Sequence, residues 1–255
     1  MTSPKVCVAT TFDTGFSDVG AFAVASIELH AARWGFDTYV DGAATYERPM
    51  PWHRVKLIPE LFAQGYDFVL WVDSDAVIVD GLVNIVDKVE PGKDLYLVEH
   101  DIDFSGSKVP NTGVMLLRNC PWTVSFLDAI WQMEDLLDHG WWDNAAAIRY
   151  FGYLNLLGEG PYAPDPEVMS HIKFLEECWN FIPQFSPLGS AYIHHLPAKS
   201  RTERRQQMPL MLMQNLENHL NAHPVVPLKR KSRLSKWWRR RKAKGTRALQ
   251  RNAQK

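Results

Sequence analysis

The chain has 255 residues, of which 46% are apolar and 22% charged, enough for a sizeable core in one large α/β domain or two small ones. Its three cysteines, Cys7, Cys120 and Cys178, are few, odd in number and without metal or redox spacing, so a disulfide scaffold is excluded and a reducing compartment expected. The net charge of -1 hides an asymmetry: residues 229–255 hold 13 Lys/Arg and no Asp/Glu, which leaves residues 1–228 at -14.

Lys5 to Asp13 reads as a first strand running into a turn loosened by Gly15 and Gly20. An Ala-rich stretch from Ala21 to Trp34, apolar on one side, predicts a helix, and Thr38–Val40 a second strand. Together they form a βαβ unit, which predicts a parallel sheet. Val55 to Gln64 predicts another helix, with Lys56 near its start. Thr10, Thr11 and Asp41 end neighbouring strands, where a nucleotide base or ribose can be touched.

The next strand is the apolar run Phe68-Val69-Leu70-Trp71-Val72, and it ends in Asp73-Ser74-Asp75 before a second apolar run, Ala76–Val79. Two carboxylates this close repel unless a positive charge lies beside them. A hard divalent cation, Mn²⁺ or Mg²⁺, is the natural partner, because oxygen ligands suit it and it can carry phosphate oxygens on its far side. At the end of a buried strand, Asp-x-Asp therefore reads as a metal–diphosphate clamp. The bland alternative is a pair of aspartates capping the turn that follows.

Leu95–Val98 and Asn111–Asn119 predict further strands, the second with Gly113 near its start, where backbone or ligand approaches closely. Pro121 to Leu137 predicts a helix with Pro at its first turn, and Trp141-Trp142-Asp143-Asn144 opens another. Ile172–Trp179 and Ala191–Leu196 read as late strands, and Arg201–Leu220 as a closing helix. His194 and His195 are adjacent on a strand and point to opposite faces, so at most one of them enters a site.

With these pieces in order, the sequence resembles the nucleotide-sugar-dependent glycosyltransferases of the GT-A fold. It is similar to the retaining family that contains α-galactosyl-, α-mannosyl- and xyloglucan xylosyltransferases. The resemblance is carried by Tyr66 to Ala76 with Asp73-Ser74-Asp75, Asn111-Thr112-Gly113, Leu116–Asn119, Trp142-Asp143-Asn144, Trp179–Pro183 and the late His195. It spans residues 5 to about 200. It implies an α/β, Rossmann-like fold: a single domain with a mixed, mostly parallel central sheet flanked by helices, over residues 1–228.

The resemblance also implies a site. Asp73, Asp75 and a late histidine, His195 in preference to His194, would hold the metal. Lys199 would lie against the donor diphosphate, with Asn111, Thr112 and Gly113 on the sugar or acceptor side and Ser74, Thr10, Thr11, Asp41 and Lys56 as further donor contacts. Asp143 and Asn144 match the catalytic acidic–amide position beside the transferring sugar. The chain departs from the family in having Asn144 where Gln is usual, and Pro197-Ala198 in place of a His-x-x-Gly turn. The donor implied is a UDP- or GDP-sugar, and the acceptor a hydroxyl of a glycan, lipid, protein or modified nucleic acid.

Two rival readings remain. Haloacid-dehalogenase-like phosphatases also place Asp-x-Asp after an apolar strand, with the first aspartate as nucleophile, but they need a second cluster downstream, typically two adjacent aspartates or a Gly-Asp-x-x-x-Asp, and no such pair occurs here. Residues 229–255, with Trp237-Trp238 beside Arg239-Arg240-Arg241, could track nucleic acid or lie on an anionic membrane; a solvated tail is the bland alternative. No signal-peptide or membrane-spanning run is present, so the expected location is the cytoplasm, with the tail able to reach the inner membrane face.

Overall fold

The computed structural model describes residues 3–43, 47–102, 106–186 and 189–222. The basic tail expected at 229–255, and the domain boundary before it, lie outside the described residues.

Strand β1 (Val6–Thr11) is buried along all six residues, as a strand covered on both faces must be. Helix α1 (Ser17–Trp34) begins earlier than its Ala-rich stretch, because a 3-10 turn at Thr14–Phe16 feeds straight into it. It stops at Gly35, whose φ of 70° lets its N–H return to the Ala31 carbonyl. Strand β2 (Asp37–Asp41), helix α2 (His53–Ala63) and strand β3 (Phe68–Val72) follow. β1 lies between β2 and β3, parallel to both, so the predicted βαβ unit is present.

Beyond the turn at residues 73–75, β4 (Ala76–Ile78) leaves the main sheet, and β5 (Leu95–Asp101) and β6 (Lys108–Arg118) return to it as an antiparallel pair. β6 begins three residues before the predicted Asn111 and includes Pro110. Its pairing with β3 covers only Val114–Arg118, so Pro110 sits where no neighbour on that side needs its missing N–H. Helix α3 (Pro121–Trp131) is shorter than predicted, since residues Glu134–Leu136 form a separate 3-10 turn. Helices α4 (Trp142–Tyr150) and α5 (Pro166–Ser170) precede β7 (Ile172–Phe174). β7 also falls short of its prediction: the chain turns at Glu177–Asn180, and that turn delivers Asn180 to the site. Strand β8 (Ile193–His195) and helix α6 (Arg201–Ala222) complete the described chain.

The main sheet has the order β2-β1-β3-β6-β5-β7, with antiparallel pairings only at β3–β6 and β6–β5; β4 and β8 form a second, two-stranded antiparallel sheet. Alternation along β1 and β3 splits the core into two. Cys7, Val69 and Trp71 face α2, α3 and α4, while Val8, Leu70 and Val72 face Ile27 and Ala31 of α1. Each fully buried Leu, Ile or Val side chain contributes on the order of 1.5–3 kcal/mol. No helix among the described residues is long and apolar enough to cross a membrane.

Candidate active site

The end of β3 is tied to β6 by the Asp73 N–H, which donates to the Gly113 carbonyl at 2.8 Å. The chain then turns tightly, with the Ala76 N–H on the Asp73 carbonyl, so both aspartates point off the end of the sheet. β4 pairs with β8 so that Ala76 lies opposite His195, which brings the late histidine beside the acidic turn. His195 Nε2 lies 3.2 Å from Asp75 Oδ1 and 3.8 Å from Asp73 Oδ2. One ligand-capable atom from each residue falls within 4.8 Å of the others.

A hydrogen-bond chain fixes the orientation of His195. Asn180 Nδ2 donates to Asn111 Oδ1 at 2.8 Å, which leaves Asn180 Oδ1 to accept from His195 Nδ1 at 2.9 Å. His195 Nε2 is thereby turned toward the carboxylates, the orientation that a metal-ligating imidazole requires. His194 turns the other way onto the Phe181 ring, and burial lowers its pKa to about 4. Gly113 is required by the crowding here: a Cβ would stand 2.2 Å from His195 Cε1 and 2.9 Å from Asp73 Oδ2.

Arg54, from the start of α2, lies buried among the acids. Nη1 donates to Asp73 Oδ1 at 2.7 Å and to the Thr112 carbonyl at 2.8 Å; Nε and Nη2 lie 2.9 and 3.2 Å from the two oxygens of Asp143. Burial opposes its charge, but Asp143 and Asp73 outweigh that and raise its pKa. Burial raises Asp143 to about 6, against the pull of Arg54. Asp73 is also raised by burial, although it accepts from Arg54 and from the Trp71 indole. Asp75 moves the other way: burial is outweighed by His195 and by Arg204, whose Nη2 lies 2.7 Å from Asp75 Oδ2. Arg204 is held by the Leu196 carbonyl and stacks over Phe16.

Arg54, Asp73, Asp75, Asp143, His195 and Arg204 line one cavity of about 1100 Å³. Of the residues expected in a site, Thr11, Asp73, Ser74, Asp75, Asn111, Thr112, Gly113, Asp143, Asn144, His195 and Lys199 all line it. Asn144 Oδ1 accepts from the Thr112 N–H at 2.8 Å, and Lys199 pairs with Glu203 at 3.4 Å.

Three expected donor contacts lie outside the cavity lining. Thr10 is fully buried on the strand face opposite Thr11. Asp41 turns back to accept from the Ala43 N–H at 2.9 Å. Lys56 is exposed, with its ammonium 4.6 Å from the Trp131 ring centre. The cation that α2 gives to the site is Arg54, which sequence reading missed, along with Arg204 and Asn180. A signal existed for both arginines: Arg54 falls in helical phase with the buried Ile58 and Leu61, and Arg204 with the buried Met208 and Met211. A charge at a core-facing position must have a buried partner.

The oxygen-and-imidazole donor set suits a hard divalent cation. No curated protein matches the chain. Among solved structures, a glycosyltransferase involved in glycosylation of the major capsid of PBCV-1 is similar in fold, at 15% identity and a TM-score of 0.63 over 81% of this chain and 100% of that one. The bifunctional glycosyltransferase WbbM is also similar, at 15% identity and a TM-score of 0.55, with 86% of this chain matched to 52% of that one. A family model, nucleotide-diphospho-sugar transferase, matches residues 36–176, more than half of the sequence and most of the site. The chain belongs to the nucleotide-diphospho-sugar transferases, a glycosyltransferase family with a GT-A-type fold.

Proposed function

We propose that the protein is a metal-dependent transferase that moves a hexose or pentose from a UDP- or GDP-sugar to an acceptor hydroxyl with retention at the anomeric carbon. The observation that carries this reading is the convergence of Asp73, Asp75 and His195 on one face of the cavity. These three residues would hold Mn²⁺ or Mg²⁺. When bound, the cation supplies Lewis-acid neutralisation of the diphosphate leaving group. Lys199 and Arg204, both on the cavity wall, add fixed positive charge toward the same oxygens.

The acceptor oxygen bonds to the anomeric carbon as the bond from that carbon to the phosphate oxygen breaks. The diphosphate leaves with the bonding pair, and the acceptor proton passes to a phosphate oxygen. Asn111, Thr112 and Gly113 border the sugar, and Asn144 steadies that strand through Thr112. Both oxygens of Asp143 are held by Arg54, which favours a carboxylate that stabilises oxocarbenium-like charge over one that attacks. A peripheral place at the inner membrane face, through residues 229–255, belongs to the same reading.

A panel of UDP- and GDP-sugars tests it. Slow release of UDP or GDP from one donor, dependent on Mn²⁺ and abolished by EDTA and by Asp75→Ala, is the expected result. Release of inorganic phosphate from simple phosphomonoesters instead would return the reading to a phosphatase.

A further inference from the structure

The cavity wall beside the reacting carboxylates carries a feature that donor binding leaves unused. Trp141 and Trp142 are 37% and 43% exposed, yet both line the cavity immediately before Asp143 and Asn144. Large aromatic side chains are normally drawn into the core. The tandem is also held in place. The Trp142 N–H donates to the His139 carbonyl at 2.9 Å, the Trp141 N–H donates to His139 Nδ1 at 3.1 Å, and the His139 and Trp141 rings meet edge to face. Trp142 has a φ of 46°, a left-handed conformation that is an outlier for so bulky a residue. Such a conformation persists only where the surroundings enforce it, and it clusters at ligand clamps.

From this we infer that Trp141 and Trp142 form a stacking platform for a carbohydrate acceptor, so that the hydroxyl that receives the sugar belongs to a glycan ring. This rests on the transfer reading above and names its second substrate. A cavity of about 1100 Å³ exceeds the roughly 300–1,000 Å³ usual for one ligand, so two substrates can be held together. A pyranose presents a C–H face to an indole and hydroxyls at its rim. Around this cavity the indoles are joined by the polar groups of Asp143, Asn144 and Gln184, and the buried Gln184 Oε1 has no partner among the described residues. A lipid chain would leave the buried Gln184 Oε1 unsatisfied, where a sugar hydroxyl can donate to it. A nucleic acid could also stack on indoles, but the body that surrounds the cavity carries a net -14 and repels a polyanion.

The test uses the full chain loaded with Mg²⁺ and the nucleoside diphosphate of its donor, applied to a glycan array and checked by saturation-transfer NMR on the strongest binder. The platform predicts glycan binding, with transfer to the C–H protons of one ring face. It predicts at least a tenfold loss of that binding in Trp142→Ala, a smaller loss in Trp142→Phe, and unchanged nucleoside diphosphate affinity in both. Glycan binding equal in wild type and Trp142→Ala would overturn the platform. So would the absence of glycan binding by a wild type that binds nucleotide, or a preference for single-stranded oligonucleotide or phosphatidylglycerol vesicles that Trp142→Ala removes. A wild type that binds no nucleoside diphosphate overturns the transfer reading and the platform with it, whereas failure of the platform alone leaves nucleotide binding intact.

Discussion

Arg54 Nη1 stands 2.7 Å from Asp73 Oδ1, while the rest of the same guanidinium holds both oxygens of Asp143. One buried cation thus couples Asp73 of the Asp-Asp-His cluster to Asp143. Removing it strips the cation from the buried Asp143 and from the partly buried Asp73, and breaking a buried pair costs about 3–5 kcal/mol. Arg54→Met should therefore lower the unfolding free energy by that order in denaturant titrations, and the deficit should shrink as pH falls and the acids protonate. Lys56→Ala, two residues away and on the exposed side, should leave both stability and donor affinity within a factor of two of wild type, on the order of 0.4 kcal/mol.

Gly113→Ala tests the crowding at the metal end. A Cβ 2.2 Å from His195 Cε1 must push the imidazole off its line to Asp75. Overpacking of this kind costs about 1–3 kcal/mol. The expected outcome is a lower melting temperature together with loss of Mn²⁺ binding, read by electron paramagnetic resonance of the free ion.

Asn180→Leu leaves Asp73, Asp75 and His195 in place but removes the acceptor that orients the His195 ring. Loss of such outer-shell partners lowers metal affinity by roughly 10–100-fold. Mn²⁺ titration should show that weakening, while nucleoside binding in the absence of metal stays the same.

The pH dependence follows from Asp143, whose pKa is raised to about 6 from 3.8. A carboxylate raised on folding binds more protons in the native state, so its burial costs nothing below about 4, and the cost grows as pH rises through about 6. At 1.36 kcal/mol per unit, the difference comes to about 3 kcal/mol. In EDTA, Asp143→Asn should therefore gain stability relative to wild type between pH 4 and pH 6, and the gap should stay constant above that window. A gap that does not vary with pH would show that Asp143 is already ionised at pH 4.

Much of this architecture is legible in the sequence, because β3 is a continuous apolar run, β1 and β6 each contain a shorter one, and the acids sit at a strand end. The family motifs place Asp73, Asp75, Asn111, Gly113, Asp143 and His195 in one cavity, and the structure brings them there. What residue type alone does not display is which side of a helix a cation takes; that has to be read from the helical phase. Lys56 looks like a site residue by type and position, yet the core phase of α2 turns it outward and turns Arg54 in. The antiparallel pairing of β4 with β8, which sets His195 opposite Ala76, is a long-range register that local pattern does not encode. The shortness of β7 likewise depends on the turn that positions Asn180.

The central claim is that Asp73, Asp75 and His195 hold a metal that receives a nucleoside diphosphate, and calorimetry of UDP and GDP binding tests it most directly. Wild type should bind one of the two with Mn²⁺ present, at least 100-fold more weakly in EDTA, and Asp75→Ala should bind at the weak level in both conditions. Binding that is as tight in EDTA as in Mn²⁺, or that survives in Asp75→Ala, would contradict it.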